Sequence, residues 1–199
     1  MPPKSKFTRE EIIKAALEIA KTEGIDRITS RNLGAKLNST ARPIFTVFKN
    51  MDEVLTEVKK AAKEIYNGYI REGLKEEIHF KGVGKAYIKF AICEPKLFQL
   101  LFMSETDQNT TISALPVVDD NYDDILSSIT GRYGVSKEIA LSVYSHLWIY
   151  THGIATLCAT KTVKFGGEEI SEMITDVFKS LLIKKITEEK ERNKTDDKG

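Results

Sequence analysis

Between residues 30 and 49 the cations Arg31, Arg42 and Lys49 are interleaved with the small hydroxyl residues Ser30, Ser39, Thr40 and Thr46. Guanidinium and ammonium groups neutralise phosphate oxygens, and short hydroxyl side chains donate to phosphates or to base edges. A merely solvated face is the plainer use of the same mixture. What separates the two is how the local elements display these residues.

Thr8 followed by Glu11 makes a capping box, and apolar residues at Ile12, Ile13, Ala16, Leu17 and Ala20 recur at helical spacing until Gly24. Thr29 or Ser30 caps a second helix with Leu33 and Leu37 as its buried residues, and Asn38 then stands where the chain must turn in a left-handed conformation. Thr40 caps the next short helix, with Pro43 in its first turn and Ile44, Phe45 and Phe48 as apolar contacts. Two helices of about two turns joined by a tight turn match a helix-turn-helix, whose second helix enters the major groove. The alternative is a helical hairpin packed in an ordinary bundle.

From Glu11 to Leu55 the chain resembles the N-terminal domain of the tetracycline repressor (TetR) family: a first helix ending in Glu-Gly, then T-S-R-N-L-G-A-K-L, then S-T-A-R-P-I-F-T-V-F. The resemblance implies a DNA-binding head at residues 7–52, a helical ligand-binding and dimerisation domain at 53–187, and a polar tail at 188–199. It places Thr29 and Arg31 near phosphates, Ser39, Thr40, Arg42, Pro43 and Thr46 in or beside the groove, and Phe45 at the family's aromatic position. Asn38 stands for the usual turn glycine, Phe45 for the usual tyrosine, and Met51 for a common lysine. Lys49 is the cation that would supply the missing charge from a shifted position.

The chain has 199 residues and a formal net charge of +1 that is unevenly spread. Residues 1–50 carry ten Lys or Arg against five Asp or Glu, and residues 101–170 carry four against nine. The basic end coincides with the proposed head. Cys93 and Cys158 are far apart, with no CxxC pair and no secretory signal, so a reducing cytoplasm is the natural setting. Met1 to Lys6 reads as a mobile basic arm, and Thr187 to Gly199 as frayed or disordered.

Asn50 with Glu53 starts a helix that runs to Gly73, with Val54, Leu55, Val58, Ala62, Ile65 and Tyr69 on its apolar stripe. Further helices are expected at Phe80–Cys93, Pro95–Ser104, Val118–Tyr133, Ser136–Thr160 and Glu168–Ile186, with Pro95 and Pro116 favouring starts and Gly134 and Gly166-Gly167 marking breaks. The fold is expected to be all-α, with about nine helices.

Ile139 to Thr160 holds no charged residue over 22 positions, yet its polar groups are spread around the helix, which argues for burial in protein rather than lipid. A second subunit is a natural cover for such a helix, with Gly153, Ala155 and Ala159 permitting close approach and the apolar stripe of the last helix, Ile170 to Leu182, adding to it. In the resembled family the last two long helices form a four-helix dimer interface. The string Trp148 to Gly153, W-x-x-x-H-G, also resembles a C-terminal subgroup of these regulators.

Tyr87, Phe90, Phe98, Phe102, Tyr122, Tyr144, Trp148 and His152 are the candidates for lining an apolar effector cavity; core packing is the competing use of the same rings. His146 and His152, six apart, face opposite sides of one helix and so do not share a metal. Asp119, Asp120, Asp123 and Asp124 lack a calcium-loop spacing and suit a solvated helix start. No phosphate-cradling glycine loop, nucleophile elbow or zinc-protease motif occurs, so neither cofactor nor enzymatic activity is expected. The expected function is a ligand-responsive, homodimeric repressor of double-stranded operator DNA, released by an apolar or aromatic small molecule. A helical protein-binding adaptor is the alternative, and an enzyme the weaker one.

Overall fold

The computed structural model describes residues 6–103 and 122–196, with side chains described to residue 192. Eight α-helices and two 3-10 turns, and no strand, make up the described residues: α1 (Arg9–Thr22), a 3-10 turn at Ile25–Arg27, α2 (Ser30–Lys36), a 3-10 turn at Ile44–Thr46, α3 (Met51–Gly73), α4 (His79–Cys93), α5 (Pro95–Phe102), α6 (Tyr122–Tyr133), α7 (Lys137–Ala159) and α8 (Gly167–Asp196). The expected features at Met1–Ser5, Ser104, Pro116, Val118, Asp119, Asp120 and the last three residues lie outside the described set.

These helices form two compact units, residues 1–68 with 90–105 and residues 69–89 with 106–199. In the first, the Thr8 hydroxyl accepts from the Glu11 N–H at 3.2 Å while the Glu11 carboxylate accepts from the Thr8 N–H at 2.8 Å, which completes the expected capping box. Ile12, Ala16, Ile19 and Ala20 face inward, and the chain leaves α1 through Gly24 at φ 102°, a left-handed conformation that a side chain would strain. The core draws on Leu33, Ile44, Phe48, Val54 and Val58 from the N-terminal elements and on Phe90, Leu97 and Phe98 from α4 and α5. Lys21 pairs with Glu94 at 3.0 Å, which ties α1 to the start of α5.

In the second unit Gly84 of α4 lies against both of the long helices: a Cβ built there would stand 3.2 Å from Ile174 of α8 and 3.4 Å from Thr151 of α7. Phe80 stacks on Phe178 with ring centroids 3.7 Å apart, and Tyr133 closes the same cluster. Ser136 caps α7 by accepting from the Ile139 N–H. Asp123 and Asp124 are exposed in the first turn of α6, where the helix dipole favours negative charge. No helix of the described residues is long and apolar enough to cross a membrane.

Several expectations need correction. The second short helix is a single 3-10 turn, without a side-chain cap from Thr40. Pro43 together with the β-branched and aromatic run Ile44, Phe45, Thr46, Val47 and Phe48 disfavours a longer helix. Leu37 is half-buried because it already sits in the turn. On α3 the inward residues beyond Ala62 are Tyr66 and Ile70, with Ile65 and Tyr69 half-buried at the stripe's edge. The polar end of the chain is helical to Asp196: its Glu, Lys and Arg residues are good helix formers, and Lys184 and Lys185 pair with Glu188. Ala155 and Ala159 face their own chain's core at 0 and 5 % exposure, which leaves Gly153 as the open small residue of α7.

Candidate functional site

α2 and the 3-10 turn at residues 44–46 meet across a turn whose geometry depends on two residues. Asn38 adopts φ 49°, and the Ser39 N–H donates back to the Gly34 carbonyl at 2.9 Å. Gly34 is buried, and a Cβ there would fall within 3.0 Å of the Thr40 and Ala41 backbone, so glycine lets the outgoing chain pass directly over α2. Sequence reasoning missed this role; an unexplained glycine inside a helical pattern was the available signal.

The turn presents the expected set outward. Thr29, Arg31, Thr40, Arg42, Phe45, Thr46 and Lys49 are exposed, while Ser39 and Pro43 are half-buried. Thr29 caps α2 by accepting from the Asn32 N–H at 3.1 Å, so its hydroxyl is partly committed to the helix start. The Thr46 hydroxyl donates to the Pro43 carbonyl at 2.6 Å. Phe45 is 48 % exposed.

Among the described residues Arg31, Arg42 and Lys49 make no ion pair, whereas Arg9, Lys21 and Lys60 of the same unit do. Arg9 reaches Glu53 at 2.9 Å and Glu57 at 3.5 Å and lies 4.3 Å over the Phe48 ring; Lys21 holds Glu94. The Glu53 carboxyl is held below the usual range, first by the Lys49 backbone N–H at 2.7 Å and then by Arg9. Asn50 accepts from the Glu53 N–H at 2.9 Å. Arg9, Asn50 and Glu53 therefore fix the backbone of Lys49 at the start of α3, while its exposed side chain adds a weaker charge attraction to Glu53.

The eight candidate effector residues fall in both units. In the first, Phe90 and Phe98 are fully buried and pack with Phe102 and Tyr66, the pairs of Tyr66 with Phe90 and Phe102 being edge-on; they build that unit's core. In the second, Tyr144, Trp148 and His152 follow at four-residue spacing on one face of α7. Trp148 stacks on His152 with centroids 5.1 Å and planes 5° apart, Tyr87 of α4 meets the His152 Nδ1 at 2.9 Å, and Tyr122 meets Tyr144 edge-on at 5.5 Å. A separate open cleft of about 280 Å³ in this unit, lined by Ser136, Glu138, Ile139, Ser142, Lys185, Glu188, Glu189 and Arg192, has no counterpart among the sequence expectations.

Burial pushes the His152 imidazole below its ordinary value. The unfolded chain then takes up the proton first as pH falls, so stability is full above the ordinary histidine range and declines as pH drops from it towards the lower folded-state value. His152→Gln should remove that part of the decline, read as a smaller difference in urea midpoint between about pH 7 and about pH 5. An unchanged difference would show that His152 takes no part in it.

Comparison with known proteins bears on both units. No curated protein matches the chain. The family model described as the tetracyclin repressor-like C-terminal domain matches residues 80–181, which run from α4 well into α8 and include Tyr87, Trp148 and His152. That match takes in half of the chain, and it joins an all-helical fold with a turn-linked pair of short N-terminal elements; the chain belongs to the tetracycline repressor-like family of transcription regulators.

Proposed function

We propose that the chain is a homodimeric repressor that binds two-fold symmetric DNA through the turn between α2 and α3 and releases it when a small apolar or aromatic molecule enters the C-terminal domain. The observation that carries the DNA reading is the outward set of Arg31, Arg42 and Lys49, none of them ion-paired among the described residues, on a tightly built turn. Arg42 is the base reader of this reading, with Thr40, Pro43 and Thr46 in the groove and Ser39 beside it. Phe45 lacks the hydroxyl that the family's tyrosine offers to a phosphate and gives an apolar contact instead. Thr29, Arg31 and Lys49 position the head on the backbone. The residues of choice for the effector are Tyr87, Trp148 and His152, which combine flat apolar surface with a polar handle.

The test is selection of bound duplex from a random pool, followed by variants. Arg42→Ala should weaken binding to the selected duplex by ~1–3 kcal/mol and relax preference at one position per half-site. Lys49→Ala should weaken selected and mixed-sequence duplexes alike and flatten the salt dependence. Equal affinity of Arg42→Ala and the parent for the selected duplex would remove Arg42 from the interface.

A further inference from the structure

The Lys6 ammonium donates to the Ser39 hydroxyl at 3.2 Å, a contact between residues 33 apart in sequence that brings the chain ahead of α1 to the turn before the 3-10 element. Lys6 is exposed, its other contact is the neighbouring Phe7 ring, and among the described residues it makes no ion pair. A lysine that only served the fold would more ordinarily meet a carboxylate, as Lys21 meets Glu94 in this same unit.

From this pairing we infer that Lys6 and Ser39 form a two-point clamp for one DNA phosphate. An ammonium keeps further N–H donors after one is used, and a hydroxyl that accepts from a cation turns its own hydrogen outward. Both groups then present donors to the same side, at a separation that non-bridging oxygens of one phosphate can span. The charge supplies affinity without sequence information, and the hydroxyl fixes where along the backbone the head sits. This rests on the DNA-binding reading and adds a contact ahead of α1 to those of the turn itself.

The test uses the full chain with two duplexes, the one selected by the parent protein and one of mixed sequence, alongside Arg42→Ala. Lys6→Gln should bind both duplexes more weakly at low salt, and the gap from the parent should shrink by about threefold for each Lys6 engaged between roughly 50 and 200 mM salt. In a Ser39→Ala background the loss from Lys6→Gln should be smaller than in the parent, because the two groups share one phosphate. Parent-like affinity and salt slope for Lys6→Gln, with Arg42→Ala still impaired, would overturn the clamp and leave the DNA reading standing. A loss equal at every salt concentration would also overturn it, since Lys6 would then act only by orienting Ser39. If the parent binds neither duplex, both readings fall together.

Discussion

Gly82→Ala should destabilise the second unit by about 3 kcal/mol or more, at the upper end of what an added methyl costs in a packed interior. Gly73 ends α3 and Gly82 lies in the first turn of α4, and the two backbones touch. A Cβ built on Gly82 would fall on the Gly73 carbonyl oxygen, and one built on Gly73 would come within 2.5 Å of the Gly82 carbonyl. Neither neighbour is a flexible side chain that can rotate away. Relief requires the two helices to separate, which also pulls α4 from contacts such as Phe80 on Phe178 and Gly84 against Thr151 and Ile174. Urea unfolding should show a lowered midpoint for Gly82→Ala. Gly131→Ala is the control of opposite sign, because nothing lies within 4 Å of that position on α6 and alanine is the better helix former. A parent-like midpoint for Gly82→Ala would mean that the crossing yields without cost and that the close approach is incidental.

What could be read in the sequence was the chemistry that acts over a few residues. Thr8 with Glu11, Thr29, Asn50 with Glu53 and Ser136 announce helix starts because a short side chain must meet an N–H three positions on, and all of them do so here. Asn38 announces the turn because few residues accept its positive φ. Lys161 takes a similar conformation, φ 57°, with nothing in its side chain to announce it. In sequence the 3-10 turn at residues 44–46 looks like a longer helix, since Ile44, Phe45 and Phe48 satisfy both patterns and only the poor helix propensity of the segment separates them. Periodicity on α3 named the right face but misassigned its far end by one position, where Tyr66 and Ile70 replace Ile65 and Tyr69. Contacts between distant residues had no local signal: the Lys6 to Ser39 bond, the Arg9 to Glu53 pair and the Tyr87 to His152 bond join segments that only the fold brings together. The aromatic residues were recognisable as a class, yet their use was not, because Phe90 and Phe98 in a core and Trp148 beside a histidine look alike in composition.

The largest functional effect is expected from charge on the outer face of α7. Ile149, Gly153 and Leu157 follow at four-residue spacing; the two apolar side chains are 46 and 37 % exposed, and space beyond Gly153 is open. Ile183 of α8, the helix that packs along α7, is exposed at 66 %. On the proposed dimer this stripe is covered by its symmetry mate, so a glutamate placed there is buried without a partner. Ile149→Glu with Leu157→Glu should then weaken assembly by ~3–5 kcal/mol, roughly a 10²–10⁴-fold rise in the dimer dissociation constant. Because both side chains are exposed in the single chain, its helical content and urea midpoint measured on the monomer should stay close to the parent's. DNA affinity should fall with assembly, since a two-fold site whose halves are centred about 34–36 Å apart needs two joined heads. Ala155 is unsuited to this test, for a charge there would break the subunit before its interface. Sedimentation decides the matter: a parent protein that is monomeric at micromolar concentration, or a doubly charged variant that stays dimeric, would show that this face of α7 is not where two copies meet.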